Sequence, residues 1–136
     1  MILLDTNFIL ELLLDQERAD EVEQFLRNIP PENLCLSEFS LYSMGIVLLR
    51  RKKQDTFLRS VDDLLVMGGI RLVRLGVGDM QDIVYVARKF NLDFDDAYQY
   101  ATAEKYNLIL VSFDSDFNRT ERGRKTPAEV IGFRGG

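Results

Sequence analysis

Acidic side chains are the residues best suited to chemistry in this sequence, and four separate parts of the chain carry them. They are Asp5, Glu38, Asp93, Asp95, Asp96, Asp114 and Asp116. Carboxylate oxygens are hard ligands, and an all-oxygen site selects Mg²⁺ or Mn²⁺ over zinc or copper. Such an ion lowers the pKa of a bound water and offsets charge that develops on a phosphoryl oxygen. Metal-assisted hydrolysis of a phosphodiester is therefore the chemistry that these residues suggest.

Other kinds of catalysis are excluded by composition. The sequence has no histidine, and Cys35 is its only cysteine. This removes Ser–His–Asp and Cys–His catalysis, zinc sites built from His and Cys, and any intramolecular disulfide. Cys35 lies between Leu34 and Leu36, a setting that favours a buried core thiol over a nucleophile.

The chain's length and hydropathy predict one globular domain over residues 1–136. Hydrophobic residues make up 46% and charged residues 29% of the 136 positions, which is an ordinary globular balance. No apolar run reaches the roughly 18 residues that span a bilayer. The N-terminal segment lacks a basic start and is interrupted by Asp5 and Glu11, so it does not match a signal peptide. We expect a cytoplasmic protein with no membrane partner.

The formal net charge is −5, which argues against binding nucleic acid through bulk electrostatics. Two local basic patches remain. Residues 50–53, Arg-Arg-Lys-Lys, are best explained as a solvated helix end. The second patch consists of Arg119, Arg122, Arg124 and Lys125. It is either a charged tail or a contact surface for a polyanion.

The spacing of apolar residues predicts strands alternating with helices. Strands are predicted at 2–4, 34–36, 70–75, 108–111 and 130–133. Helices are predicted at 6–14, 17–29, 55–67 and 78–90, with two more beginning at Ser37 and at a cap formed by Asp95 or Asp96. This alternation indicates a parallel sheet between helical layers. Ligands bind outside the carboxyl ends of the strands in such folds.

The acidic residues are expected to meet at that edge of the sheet. Taken singly, each has a structural explanation, since Asp5 can cap a helix and Asp114 can hold a turn. Together they would repel one another, by roughly 4 kcal/mol per pair at about 4 Å and an effective dielectric near 20. A divalent metal is the economical remedy. The amide of Asn7 and the hydroxyl of Ser112 can reach the same place.

Three motifs, in this order, resemble those of the PIN-domain nucleases. They are Leu4-Asp5-Thr6-Asn7, Asp96-Ala97 followed by Ala101 and Ala103, and Val111-Ser112-Phe113-Asp114-Ser115-Asp116-Phe117. The resemblance covers essentially the whole chain. It implies a three-layer α/β/α sandwich with a central, mostly parallel sheet, and a Mg²⁺- or Mn²⁺-dependent endoribonuclease that cleaves RNA. It also implies that Asp5, Asp96 and Asp114 are catalytic metal ligands, with Asp116 as a further ligand and Asn7 and Ser112 in support.

The resemblance also implies partners. Many small members are toxins of VapBC-type toxin–antitoxin pairs, each inhibited by a partner that inserts near the site, and the fold is often dimeric. An antitoxin partner and a homodimer are therefore expected. The apolar residues Phe8, Leu12 and Leu13 serve either an interface or the core, and we favour the core.

One position departs from the family pattern. The family usually has a Glu about six residues after a Ser or Thr at the end of the second strand, and in that register Ser37 leads to Ser43. Glu38 is the nearest carboxylate. It either fills the catalytic role from the head of the helix or only interacts with the helix N-terminus.

Two alternative functions follow from these features. The first is a non-catalytic module of the same fold that binds RNA or a protein. The second is a phosphoacceptor receiver domain. It would need an acid pair after the first strand, a lone acceptor Asp after a middle strand and a late lysine, whereas here the acid pair, Asp114 and Asp116, follows a late strand.

Overall fold

A four-stranded parallel sheet forms the centre of the molecule. The computed structural model describes residues 1–135, with side chains to residue 132. The strands are β1 (Ile2–Leu4), β2 (Leu34–Ser37), β3 (Arg71–Val73) and β4 (Ile109–Val111), in the order β3-β2-β1-β4. Leu3 pairs with Cys35 on one side and with Leu110 on the other. Because all four strands run in the same direction, their carboxyl ends lie at one edge.

Over the described residues, seven α-helices surround this sheet. They are α1 (Thr6–Leu13), α2 (Ala19–Asn28), α3 (Glu38–Arg50), α4 (Gln54–Val61), α5 (Met80–Phe90), α6 (Phe94–Tyr106) and α7 (Pro127–Gly135). Helices α5 and α6 each end at an asparagine in the left-handed conformation, Asn91 with φ 53° and Asn107 with φ 54°. Asparagine tolerates this conformation better than most residues, so it provides a tight helix end.

The two faces of the sheet bury different residues, as the two-residue period of a strand requires. Leu3, Cys35 and Leu110 face the layer that contains α5 and α6. Leu4 and Leu36 face the opposite layer, which contains α1 and α2. The predicted three-layer α/β/α sandwich with a parallel sheet is therefore confirmed.

Two smaller expectations about the core also agree with the structure. Cys35 is a buried thiol with 1% of its surface exposed. Phe8 is fully buried, and the partly buried Leu12 and Leu13 pack against the same core, as expected for core rather than interface residues. Among the helices that the structure describes, none has the length and apolar character needed to cross a membrane.

The strand predicted at 130–133 is wrong, because these residues belong to α7. The helix begins with Pro127, which is favourable at a first helical position. Just before it, the backbone N–H of Glu129 donates to the Thr126 hydroxyl, and the Glu129 carboxylate accepts from the backbone N–H of Thr126. This reciprocal cap outweighs the strand preference of the following Val and Ile.

Candidate metal centre

A cavity of about 250 Å³ lies at the carboxyl edge of the sheet. Six aspartates line it, namely Asp5, Asp93, Asp95, Asp96, Asp114 and Asp116. They come from three parts of the chain, the end of β1, the start of α6 and the loop after β4. The parallel sheet therefore brings together three of the four acidic segments that were expected to meet, and Glu38 is the exception.

Asp5 is the most buried of these carboxylates, with 4% of its surface exposed. It follows β1 directly, and its backbone N–H donates to the carbonyl of Val111 on β4 at 3.0 Å. Its Oδ1 accepts from the Thr6 N–H at 2.9 Å, so it caps α1, while its Oδ2 accepts from the Ser112 hydroxyl at 2.7 Å. Burial raises the pKa of Asp5, and the hydrogen bonds from Ser112 and Thr6 oppose that rise.

Asp96, Asp114 and Asp116 form the tightest acidic group. Each offers one carboxylate oxygen, and these oxygens lie within 4.8 Å of one another. A Mg²⁺ ion bound octahedrally at about 2.1 Å holds its ligand oxygens about 3 to 4 Å apart. Small side-chain rotations would bring the three oxygens to that spacing. The donor set and its geometry therefore fit a hard divalent cation.

The crowding of these acids alters the acidity of Asp96. Burial, followed by the negative charge of Asp114, raises the pKa of Asp96 to about 7. Asp93 and Asp5 add smaller contributions in the same direction. A cation at this point would offset the repulsion that the carboxylates impose on each other.

The N-cap of α6 is Asp93, so the prediction that Asp95 or Asp96 caps this helix is wrong. Asp93 accepts a hydrogen bond of 2.9 Å from the backbone N–H of Asp96. Because Asp93 satisfies the helix end, the Asp96 carboxylate is left to face the other acids of the cavity. Asp5 is the N-cap of α1, which agrees with the structural role that the sequence allowed for it.

The loop after β4 holds Asp114 and Asp116 in a fixed arrangement. The backbone N–H of Asp114 donates to the Ser112 hydroxyl oxygen at 2.9 Å. The backbone N–H of Asp116 donates to Asp114 Oδ1 at 2.8 Å. Asp116 also forms an ion pair of 2.7 Å with Arg119. Ser112 therefore contacts both Asp5 and Asp114, while Asn7 lines the cavity and is exposed.

Glu38 lies apart from the cavity lining. It is the first residue of α3, and its Oε2 lies 3.5 Å from Nη1 of Arg74. Ser43, one turn and a half further along the helix, does line the cavity. Helix α3 thus contributes a hydroxyl at the position where the family pattern places an acid.

The two basic patches differ in their surroundings. Residues 50–53 are exposed at and beyond the end of α3, as expected for a solvated helix end. In the second patch, Nη1 of Arg124 donates to the Ser112 carbonyl at 3.0 Å, and Arg119 pairs with Asp116. Part of this patch therefore borders the acidic cavity.

Gln99 is a site residue that sequence reasoning missed. Its side chain is buried, and its Nε2 lies 3.1 Å from the Thr6 hydroxyl and 2.7 Å from the Ser40 hydroxyl. Nε2 also lies 3.4 Å from Oδ1 of Asp5. Its position in the sequence could have indicated this role, because Gln99 follows Asp96 by three residues and therefore lies on the same face of α6. A polar residue there shares the surroundings of the metal-ligand candidate.

The parallel sheet with aspartates at its carboxyl edge defines an α/β protein with a candidate metal centre. Residues 2–123 match the family model for the PIN domain, and the chain therefore belongs to the PIN-domain family. This assignment removes the receiver-domain alternative. No curated protein sequence matches the chain significantly.

Several solved structures share this fold. A toxin–antitoxin complex from Klebsiella pneumoniae superposes with a TM-score of 0.74 at 21% identity, over 95% of this chain and 99% of that chain. FitAcB from Neisseria gonorrhoeae superposes with a TM-score of 0.73 at 21% identity, over 93% of this chain and 98% of that chain. VapC20 from Mycobacterium tuberculosis is described as a toxin that cleaves the sarcin–ricin loop. It superposes with a TM-score of 0.73 at 20% identity, over 87% of this chain and 93% of that chain.

Proposed function

We propose that this protein is a metal-dependent endoribonuclease that hydrolyses RNA phosphodiester bonds. Asp5, Asp96, Asp114 and Asp116 would hold Mg²⁺ or Mn²⁺. The observation that carries the proposal is the convergence of carboxylate oxygens from Asp96, Asp114 and Asp116 within 4.8 Å. Membership of the PIN-domain family supports the nuclease class.

A bound divalent cation supplies an acidified water and positive charge for a phosphoryl oxygen. The chain's own residues position the reaction around it. Ser112 holds both the Asp5 carboxylate and the backbone of Asp114. Asn7 lines the cavity from an exposed position, where its amide can reach a bound substrate. The guanidinium of Arg124, bound to the Ser112 carbonyl, provides positive charge that suits an RNA phosphate.

Glu38 has a different role in this proposal. Its pair with Arg74 and its place in the first turn of α3 account for it, because an acid is favourable at a helix N-terminus. The metal centre then consists of aspartates alone. Ser43 faces the cavity where a further carboxylate would otherwise stand.

We further propose that the protein acts as the toxin of a VapBC-type pair, in the cytoplasm, as a single domain over residues 1–136 and as a homodimer. The similar structures include a toxin–antitoxin complex and a toxin that cleaves an RNA loop. The partner would be an antitoxin encoded beside this chain. Coexpression of the neighbouring small reading frame, followed by copurification and light scattering, tests both the partner and the subunit number.

RNA cleavage is the experiment that tests the enzymatic proposal. The purified protein is incubated with RNA in Mn²⁺, with and without chelator. We expect cleavage that the chelator abolishes and that is absent from Asp5→Asn and Asp96→Asn. An exposed glutamine on α5, changed in Gln81→Ala, serves as a control that should cleave normally. Cleavage that persists in both aspartate variants would show that it comes from a contaminant.

A second candidate is a non-catalytic PIN-fold module that binds RNA or protein. The observation in its favour is Ser43, a hydroxyl on the helix where the family pattern has an acid. This candidate expects RNA or partner binding without any metal-dependent cleavage. The incubation with Mn²⁺ therefore separates the two candidates.

A further inference from the structure

Gln99 occupies a junction between three elements of the fold. It lies on α6, one turn after Asp96, with 1% of its surface exposed. Its Nε2 contacts the Asp5 carboxylate and the Thr6 hydroxyl at the start of α1, and it contacts the Ser40 hydroxyl on α3. One side chain therefore ties the helix that bears Asp96 to the residue that follows β1.

The chemistry of these neighbours fixes which end of the Gln99 amide faces them. Hydroxyls such as Ser40 and Thr6 either donate or accept, so they accommodate an oxygen or a nitrogen. An ionised carboxylate only accepts. Because Oδ1 of Asp5 lies 3.4 Å from this end of the amide, that end must be the NH₂ group. The opposite orientation would place two acceptor oxygens, Oε1 of Gln99 and Oδ1 of Asp5, against each other.

The remaining end of the amide is left without a partner. Gln99 Oε1 is a buried side-chain atom with no hydrogen-bond partner among the described residues. Buried polar atoms are nearly always paired, and an unpaired one is unfavourable for the fold. An apolar side chain of similar size would avoid this. A glutamine at this position is therefore explained by the contacts of its NH₂ group, which an apolar side chain could not make.

Asp5 receives its donors from separate parts of the chain. The Ser112 hydroxyl approaches from the end of β4, and the Thr6 N–H comes from α1 itself. Gln99 is the donor that comes from α6, the helix that carries Asp96. At 3.4 Å this is the longest of the three contacts of Nε2, and a rotation of the Asp5 carboxylate away from α6 would break it.

We propose that Gln99 is a positioning residue of the metal centre: its side-chain amide holds the Asp5 carboxylate in register with Asp96 and thereby sets the affinity for the divalent cation. This inference rests on the proposed function. It assigns Gln99 no direct contact with the substrate. Groups that orient metal ligands typically change metal affinity 10- to 100-fold when they are removed.

The first test measures Mn²⁺ binding by isothermal titration calorimetry in the wild-type protein and in Gln99→Met, which keeps the size of the side chain and removes the amide. We expect a loss of affinity of about 10-fold or more. Thr102→Val is the matched control. Thr102 is buried on the same helix, and its hydroxyl donates only to the Tyr98 carbonyl one turn earlier. It should bind Mn²⁺ as the wild type does.

The second test needs no variant and holds even if Gln99→Met does not fold. In the wild-type protein, the side-chain NH₂ signals of glutamines are followed by nuclear magnetic resonance during a Mg²⁺ titration. We expect the Gln99 signals to shift, while those of the exposed Gln24 and Gln81 stay in place.

The outcomes separate this inference from the proposed function. Unchanged Mn²⁺ affinity in Gln99→Met, or Gln99 signals that do not move as Mg²⁺ binds, would overturn the role of Gln99 alone. A wild-type protein that binds neither cation would instead remove the metal centre itself, and the inference with it.

Discussion

The hydroxyl of Ser112 donates a hydrogen bond of 2.7 Å to Oδ2 of Asp5, across 107 positions of sequence. The same hydroxyl oxygen accepts from the backbone N–H of Asp114 at 2.9 Å. Asp5 follows β1 and Asp114 follows β4, and these strands are neighbours in the sheet. The relative position of two candidate metal ligands is therefore set by strand pairing and by one serine.

Ser112→Ala should weaken both the fold and the metal centre. The buried Asp5 carboxylate would lose a donor, which destabilises a protein by about 1–3 kcal/mol. Metal affinity should fall by about 10-fold, as for other groups that orient ligands. Urea denaturation and calorimetric titration with Mn²⁺ measure the two effects. The exposed Ser115, changed in Ser115→Ala, is the control. A Ser112→Ala protein with wild-type stability and Mn²⁺ affinity would contradict the conclusion that Ser112 sets the relative position of Asp5 and Asp114.

The raised pKa of Asp96 predicts how the stability of the metal-free protein depends on pH. The pKa of an unperturbed aspartate is 3.8, and that of Asp96 in the fold is about 7, so the native state holds this proton more tightly than the unfolded chain does. The stabilisation that comes from this bound proton is fully present below about pH 3.8 and is lost as the pH rises through about 7. The metal-free protein should therefore lose this contribution between those pH values.

Asp96→Asn removes that dependence. In chelator at pH 8 we expect this variant to melt about 4 °C above the wild type, the shift that roughly 1 kcal/mol produces in a chain of this size. At pH 4 the two proteins should melt close together, because the wild-type carboxyl is then neutral. Thermal melts at the two pH values provide the comparison. If the two proteins differ in melting temperature by the same amount at both pH values, the charge of Asp96 is not the cause of that difference.

Glu38→Gln tests the residue whose role the sequence left open. The pair with Arg74 is largely solvent-exposed on the arginine side, and pairs of this kind contribute about 0–1 kcal/mol. We expect little change in stability and no change in Mn²⁺ affinity or RNA cleavage. Calorimetry and the cleavage assay measure these properties. A tenfold loss of either affinity or cleavage would assign Glu38 to the active site.

Ser43→Glu should add a carboxylate to the cavity. Because Ser43 already lines it, we expect tighter Mn²⁺ binding, by about tenfold if the new oxygen reaches the ion, since each 1.4 kcal/mol is a factor of ten. The metal-free protein should become less stable through added like-charge repulsion. Ser43→Gln is the neutral control of the same size. Weaker binding in the glutamate variant than in the control would argue against this position facing the metal.

Much of the fold was predictable because buried parallel strands are short, continuous apolar runs. Residues 2–4, 34–36 and 108–111 have this character, and β1, β2 and β4 follow them closely. The edge strand β3 covers only Arg71–Val73 of the predicted 70–75. The convergence of the acids was predictable for the same reason, since strand ends in a parallel sheet meet at one edge.

The remaining features depend on contacts that spacing does not reveal. Asp93, Asp95 and Asp96 are all plausible caps in sequence, and only the folded backbone shows that Asp93 is used. The network around Gln99 joins residues from three elements, so it depends on how α6 is rotated against α1 and α3. The spacing of Thr126 and Glu129 is that of a helix cap, a signal that the prediction of a strand at 130–133 did not use.

Anomalous diffraction from crystals soaked in Mn²⁺ would locate the metal centre without relying on activity. We predict one strong anomalous peak bounded by the carboxylates of Asp96, Asp114 and Asp116, beside Asp5, and no such peak in Asp114→Asn crystals grown and soaked in the same way. A wild-type crystal without density at this position, or with Mn²⁺ bound only elsewhere, would contradict the proposed metal centre.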